Sequence, residues 1–325
     1  MRINYHYDAF KEIPTFSDYR ILVMTNEFPI IIVTEEAYKS STDEALGSKY
    51  KFWYQHEKLG RCLYKQARAN SGEDWAEKIA SELCKLLVLP HATYELALTS
   101  EGNRGVVSPD FLSSDSILVH GNELLTSIVP NYPTFGTYGI SQHTIDVVLM
   151  AINNESINLP IGWSAISSIQ APVDVFVGYL LLDAWIGNGD RHHENWAIVR
   201  KIESTLEQTE YLAPTYNHAS CLGRDLSDEQ RQQRSVESYT NKSFSAFYGN
   251  IGDKKPLKTF DVFQQVVQSY PDAANIWLAQ LESISEDNIK NIFNLIPRDR
   301  LSSIAADFAQ KILRINKQKL VNLRE

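Results

Sequence analysis

Trp185-Ile186-Gly187-Asn188-Gly189-Asp190-Arg191-His192-His193-Glu194-Asn195-Trp196 decides how the rest of the chain is read. An almost wholly apolar run, residues 173–185, leads into it, and a short apolar run, residues 196–199, leads out. Helix, tight loop, strand is the economical reading. Gly187, Asn188 and Gly189 tolerate the left-handed backbone that stops a helix. Asp190 and Asn195 then share one loop, five positions apart.

That pair suits phosphoryl transfer. A carboxylate orients an attacking hydroxyl and accepts its proton, and an amide oxygen further along the loop holds a metal ion. A bare D-x-x-x-x-N is more often a helix C-cap followed by a polar turn. The glycine stop, Arg191 and His192, and the strand behind Asn195 favour a kinase loop here. The form G-x-G-D-R-H-x-x-N resembles two groups, the HipA-like bacterial serine/threonine protein kinases and the phosphatidylinositol 3/4-kinases. The other motifs decide between them.

The chain has 325 residues, enough for a two-lobed enzyme with a substantial core. No uncharged apolar stretch reaches the roughly 18 residues of a membrane span. Residues 1–10 mix charge and aromatics and lack the apolar core of a signal peptide. Three cysteines, Cys62, Cys84 and Cys221, show no metal spacing, and a reducing cytoplasm is the expected setting. The net charge of -9 argues against a general nucleic-acid surface.

In the N-terminal half, residues 19–24 and 28–33 read as two scaffold strands joined by Thr25, Asn26 and Glu27. Residues 46–54 and 60–65 read as a hairpin whose loop covers a nucleotide. Gly47, Ser48, Lys49 and Lys51 are its candidate ATP contacts. Such loops are usually glycine-rich, because backbone amides must approach the phosphates, and this one has a single glycine. No Walker A pattern occurs anywhere. HipA-like kinases are similar here, with few glycines and a lysine before a strand.

Lys65 ends the second strand of that hairpin. A strand-end lysine is ordinarily solvated, but one clamped by a helix glutamate reaches the α- and β-phosphates. Ser71-Gly72-Glu73-Asp74 is a helix-start signal. Trp75, Ala76, Ile79, Ala80, Leu83, Leu86 and Leu87 then mark a helix of 3.6-residue period ending before Pro90. Glu77 lies beside the small residues Ala80 and Cys84, and is either a clamp for Lys65 or a surface partner. The run from Gly72 to Ala92 closely resembles the matching helix of HipA-like kinases, which carry a glutamate at the place of Glu77. Two prolines around Asn131 and Tyr132 suggest a crossing between lobes at residues 129–132, with the Val129 backbone reading adenine.

In the C-terminal half, residues 144–152 read as a helix, and Pro172 opens the buried helix that delivers the catalytic loop. Residues 196–199 and 210–213 read as a strand pair. Next, Leu212-Ala213-Pro214-Thr215-Tyr216-Asn217-His218-Ala219-Ser220-Cys221-Leu222-Gly223 resembles the HipA-like form L-A-P-x-Y-D-H-x-x-S-L-G. The metal-binding aspartate of that form is replaced by Asn217. An amide oxygen touches Mg²⁺ but lacks the charge a hard cation prefers. Asn217 fits a natural pseudokinase, a substitution that silences an enzyme, or a metal held by other groups. Residues 222–235 read as a polar helix or an activation-segment analogue, with a solvated face the plainer reading. The tail reads as helices at 260–269, 273–284, 286–295 and 298–320.

The expected fold is α+β and two-lobed, protein-kinase-like of the HipA-like type. A sheet-rich small lobe covers residues 1–130, and a mainly helical large lobe covers residues 131–325. The resemblance spans residues 47–223. It implies ATP- and Mg²⁺-dependent phosphorylation of serine or threonine in a cytoplasmic toxin-type kinase. Asp190 is the implied base, and Asn195 and Asn217 stand at the metal positions. It also implies a protein substrate such as an aminoacyl-tRNA synthetase or translation factor, an antitoxin partner, and neither membrane nor direct nucleic-acid binding. The competing readings are a dead pseudokinase with a nucleotide-binding or regulatory role, and a phosphatidylinositol-type lipid kinase. Ser48, or one of Ser40, Ser41 and Thr42, is the expected regulatory phosphosite, since a dianion there opposes ATP phosphates.

Overall fold

A computed structural model describes residues 27–39, 42–43, 50–202 and 208–324. The first expected strand, residues 19–24, lies outside them, as do Gly47, Ser48, Lys49, Ser40 and Ser41.

The chain opens with β1 (Ile30–Val33), the short helix α1 (Glu35–Lys39), β2 (Thr42–Asp43), β3 (Lys51–His56) and β4 (Gly60–Gln66). Helix α2 (Glu73–Leu87), β5 (Glu95–Thr99) and β6 (Arg104–Pro109) follow. The six strands form one sheet in the order β1-β5-β6-β4-β3-β2. Its pairs are antiparallel except β1 with β5, which run parallel.

Period-two alternation sorts the side chains of this sheet. Phe52, Tyr54, Cys62, Tyr64, Ala97 and Val107 bury one face as a cluster. Lys51 and Lys65 stand opposite each other in register on the other face. Helix α2 packs on that same side of the chain with Trp75, Ile79, Leu83 and Leu87 buried. Its start differs from the expected cap. The Ser71 hydroxyl donates back to the Arg68 carbonyl at 2.8 Å, and Gly72 takes the N-cap position without a side-chain bond. The helix stops at Val88, whose φ of 61° is left-handed.

The sheet ends at Pro109, and the chain changes partners there. β7 (Ser116–His120), β8 (Ile157–Asn158), β9 (Ala197–Ile202) and β10 (Gln208–Leu212) build a second sheet in the order β7-β9-β10-β8. Helices α3 (Gly121–Thr126), α4 (Ile145–Ile152) and α5 (Pro172–Ile186) fall among these strands. Then come α6 (Asp228–Gln233), α7 (Val236–Thr240), α8 (Thr259–Ser269), α9 (Pro271–Ser283), α10 (Glu286–Asn294) and α11 (Ser303–Val321). The fold is therefore α+β, a curled sheet beside a helical part. The change of sheet falls at residues 110–115, earlier than the boundary at 130 read from the sequence.

The axis of the helical part is α5. Every residue of it except Asp174 is buried, which explains its apolar run. Gly178 meets α9 so closely that a Cβ there would lie 2.6 Å from the Trp277 ring. Helix α11 clasps the end of α5, since Trp185 Nε1 donates to the Leu313 carbonyl and Asn316 Nδ2 to the Trp185 carbonyl. The end of α5 is thereby held in place, and the loop that carries Asp190 leaves from it.

Candidate active site

Gly187 ends α5 with φ of 68°, the left-handed value its glycine permits. The loop that follows is stapled from beneath. Asp183, buried on the last turn of α5, accepts from Arg191 Nε, from Arg191 Nη2 at 2.8 Å and from Asn188 Nδ2 at 2.7 Å. Arg191 Nη1 also donates to the Asn195 carbonyl at 3.0 Å. Arg191 therefore shapes the loop and does not face a substrate. Its partner had a sequence signal that the motif overshadowed: a carboxylate deep in an apolar helix, past its first turn, demands a cation.

With the loop fixed, Asp190 lines an open cleft of about 500 Å³ between the first sheet and the helical part. Asp190 Oδ1 accepts the Tyr138 hydroxyl at 2.6 Å, and Oδ2 accepts the Ser220 hydroxyl at 3.3 Å. Burial, then the hydrogen bond and the negative charge of Asp190, push the Tyr138 phenol up to about 12.

From the sheet side, Lys65 Nζ lies 3.4 Å from Glu77 Oε2 and donates to Asn217 Oδ1 at 2.7 Å. Glu77 is almost wholly buried, and its other oxygen accepts the His218 backbone N–H at 2.5 Å. It thus clamps Lys65 and anchors the Asn217 segment together. Asn217 itself has φ of 62° and donates its backbone N–H to the Tyr94 hydroxyl at 3.1 Å. Its side-chain Nδ2 donates to Asn195 Oδ1 at 2.6 Å. Asn195 Nδ2 in turn donates to the Asp190 carbonyl and lies 3.0 Å from His192 Nε2. Next along, His218 is buried with Nε2 2.7 Å from the Thr215 hydroxyl. Burial, with the charges of Arg191, His91 and Lys65, drives its pKa well below the ordinary histidine value.

The structure brings Lys65, Glu77, Asp190, Asn195 and Asn217 together, and places Lys51 on the cleft wall. Val129 does not line the cleft. It packs against the helical core just after α3, because the prolines that suggested a crossing there close a turn within the helical part. The crossing at residues 109–112 forms that wall, with Phe111 stacked on Tyr216 at a centroid distance of 6.2 Å. Tyr138, Tyr94, Ser220 and Arg224 join the site without having been singled out. Only Tyr138 left a trace, as the tip between Gly136 and Gly139, both at positive φ.

The donor set does not suit Mg²⁺ as it stands. The two side chains expected to bind metal are neutral amides, and each hydrogen-bonds the other. Among the described residues no group of three or more His, Cys, Asp or Glu is placed to hold a metal ion.

A lysine on a curled sheet paired with a helix glutamate, facing an aspartate loop at the end of a buried helix, fits a two-lobed kinase-like fold of the HipA-like type. Solved structures share this fold. The proinflammatory kinase CtkA of Helicobacter pylori matches with a TM-score of 0.67 at 19% identity, over 91% of this chain and 97% of that one. HipA, in the toxin–antitoxin complex with HipB and operator DNA from Shewanella oneidensis MR-1, matches with a TM-score of 0.52 at 12% identity, over 86% of this chain and 67% of that one. No protein-family model matches the chain, and neither does any curated protein.

Proposed function

We propose that the chain binds ATP in this cleft and is a serine/threonine protein kinase whose transfer step is throttled at Asn217. The observation that carries the reading is the meeting of Lys65–Glu77 and Asp190–Asn195 across one cleft. The adenine would enter between Phe111, Leu112, Leu118 and Tyr216, with the backbone of residues 109–112 at its edge. Lys65, held by Glu77, would meet the phosphates. Asp190 would take the proton of a serine or threonine hydroxyl as its oxygen bonds to the γ-phosphorus and ADP departs. Asn217 brings no negative charge to this arrangement, so the charge balance of transfer is poorer than an aspartate would make it.

The toxin-type role, the translation-related substrate and a restraining partner protein are carried by the resemblance to HipA-like kinases. The Shewanella oneidensis neighbour, described with HipB, is consistent with such a partner. The second reading, a nucleotide-binding pseudokinase, is favoured by the Asn217–Asn195 hydrogen bond.

The test is a comparison of this chain with Asn217→Asp for ATP affinity and for γ-phosphate transfer. Both should bind ATP. Transfer should rise about 30- to 1000-fold in the aspartate form, for a gain of roughly 2–4 kcal/mol at about 1.36 kcal/mol per tenfold. Equal transfer rates would remove the role given to Asn217. Absence of ATP binding by either form would remove the kinase reading.

A further inference from the structure

The hydrogen bonds at Asn217 form a chain whose direction chemistry dictates. At one end is Lys65, an ammonium that only donates. At the other is the Asp190 carbonyl, which only accepts. Between them, Asn217 must turn its oxygen to Lys65, leaving its NH₂ for Asn195. Asn195 must receive that NH₂ on its oxygen, leaving its own NH₂ for the Asp190 carbonyl. Swapping oxygen and nitrogen on either amide would set donor against donor or acceptor against acceptor.

A cation between residues 195 and 217 would meet the Asn217 NH₂. Turning that amide round to offer oxygen would press its NH₂ against the Lys65 ammonium. The opposite holds for an aspartate: one oxygen would serve Lys65, and the other would face Asn195 Oδ1 with no proton between them. Two acceptors at such a separation call for a cation.

We propose that the amide NH₂ of Asn217 takes the place of the divalent cation, so that this site binds free nucleoside triphosphate without Mg²⁺. The proposal rests on the ATP-binding reading above and goes beyond it in naming the metal-free ligand. A second feature of the cleft agrees with it. Lys51, Lys65, Arg68 and Arg224 line the walls together with Asp110, Asp190 and Glu194, so the cleft brings four cationic side chains against three carboxylates. Arg224 and Arg68 each also pair with Glu73, at 2.7 and 2.8 Å, which fixes them beside the cleft mouth.

The experiment measures ATP affinity by calorimetry in EDTA and in excess MgCl₂, first with the unaltered chain and then with Asn217→Asp. The unaltered chain should bind at least about tenfold more weakly in excess MgCl₂ than in EDTA, since the magnesium complex brings a cation to the place that the Asn217 NH₂ fills. The aspartate variant should bind at least about tenfold more tightly with Mg²⁺, as a carboxylate ligand restores the cation's preferred donor. Thermal unfolding without nucleotide gives a second readout: Mg²⁺ should raise the midpoint of the variant and leave the unaltered chain unmoved. Binding by the unaltered chain as tight or tighter when Mg²⁺ is present overturns this inference and leaves the kinase reading standing. Binding in neither condition overturns both. Because the first arm uses the protein as it is, a variant that folds poorly does not spare the proposal.

Discussion

The Tyr138 hydroxyl rests on the carboxylate that the proposed reaction needs to be empty. It donates to Asp190 Oδ1 at 2.6 Å, the position an acceptor serine would take. The rest of Tyr138 is largely exposed, so little besides this bond and an edge contact with the His192 ring holds it. In an Asn217→Asp background, Tyr138→Phe should therefore raise transfer to a mixed serine/threonine peptide pool about five- to tenfold, the worth of roughly 1–1.4 kcal/mol of a charge-assisted bond. ATP affinity should not move. A fall in transfer would mean that Tyr138 assists the acceptor and does not compete with it. At this scale, legibility followed distance along the chain. Asp190 and Asn195 share one loop, and Lys65 and Glu77 are separated by one turn and a helix start, so local spacing together with the resemblance to HipA-like kinases pointed to them. Tyr138, Tyr94 and Arg224 reach the site from segments that only the tertiary fold brings near, and no local pattern marks such an approach. Val129 was misplaced because prolines were read as a crossing between lobes, whereas the change of sheet partner at Pro109 is what makes one.

Among the elements, α2 carries two charged ends of different purpose. Glu77, on its second turn, serves the cleft. Asp74, on its first turn, serves the fold: Arg300, in the turn before α11, donates to Asp74 at 2.8 Å and to the Ala97 carbonyl of β5 at 2.9 Å. Both side chains are nearly free of solvent contact. This pair joins helix, sheet and tail at one buried point. Arg300→Met leaves Asp74 buried without a cation and should cost about 3–5 kcal/mol, whereas Arg300→Met with Asp74→Leu should recover most of it. Urea unfolding of the two variants decides the matter, and a double variant no better than the single one would mean that shape, not charge, governs the site. Helix α2 was readable from its apolar period, and α5 from its unbroken apolar run. The parallel pairing of β1 with β5 was not, because strand patterns show where a strand is and not which edge it joins. The start of α2 misled for a related reason. Ser71 carries a cap-forming hydroxyl, but a short polar side chain also bonds its neighbours in a turn, and here it chooses Arg68.

For the molecule as a whole, the histidines set the response to acid. His143 ties together the segment after Tyr138, the loop before α8 and the start of β9. Its Nε2 accepts from the Trp196 indole at 3.1 Å, and its Nδ1 donates to the Ala246 carbonyl at 2.9 Å. The indole only donates and the carbonyl only accepts, so the neutral tautomer is fixed. A proton added at Nε2 would collide with the indole N–H. The groups around it are aromatic or cationic when charged: Phe247 stacks on it, and His192 and His193 face it. Burial, partly opposed by the Ala246 bond and reinforced by those two histidines, lowers its pKa to about 3. The unfolded chain gains a proton near pH 6.5 that the folded chain refuses until far lower, so stability is lost as pH falls below that point. Between pH 7.5 and 5.0 this group alone should remove about 2 kcal/mol, at roughly 1.4 kcal/mol per pH unit below 6.5. His218, buried and lowered in the same way, acts in the same direction. Urea midpoints at the two pH values measure the loss. In His143→Gln, whose amide can accept from Trp196 and donate to Ala246, the loss should shrink by about 2 kcal/mol, since the replacement does not titrate. An equal loss in the variant would place the acid sensitivity elsewhere in the fold.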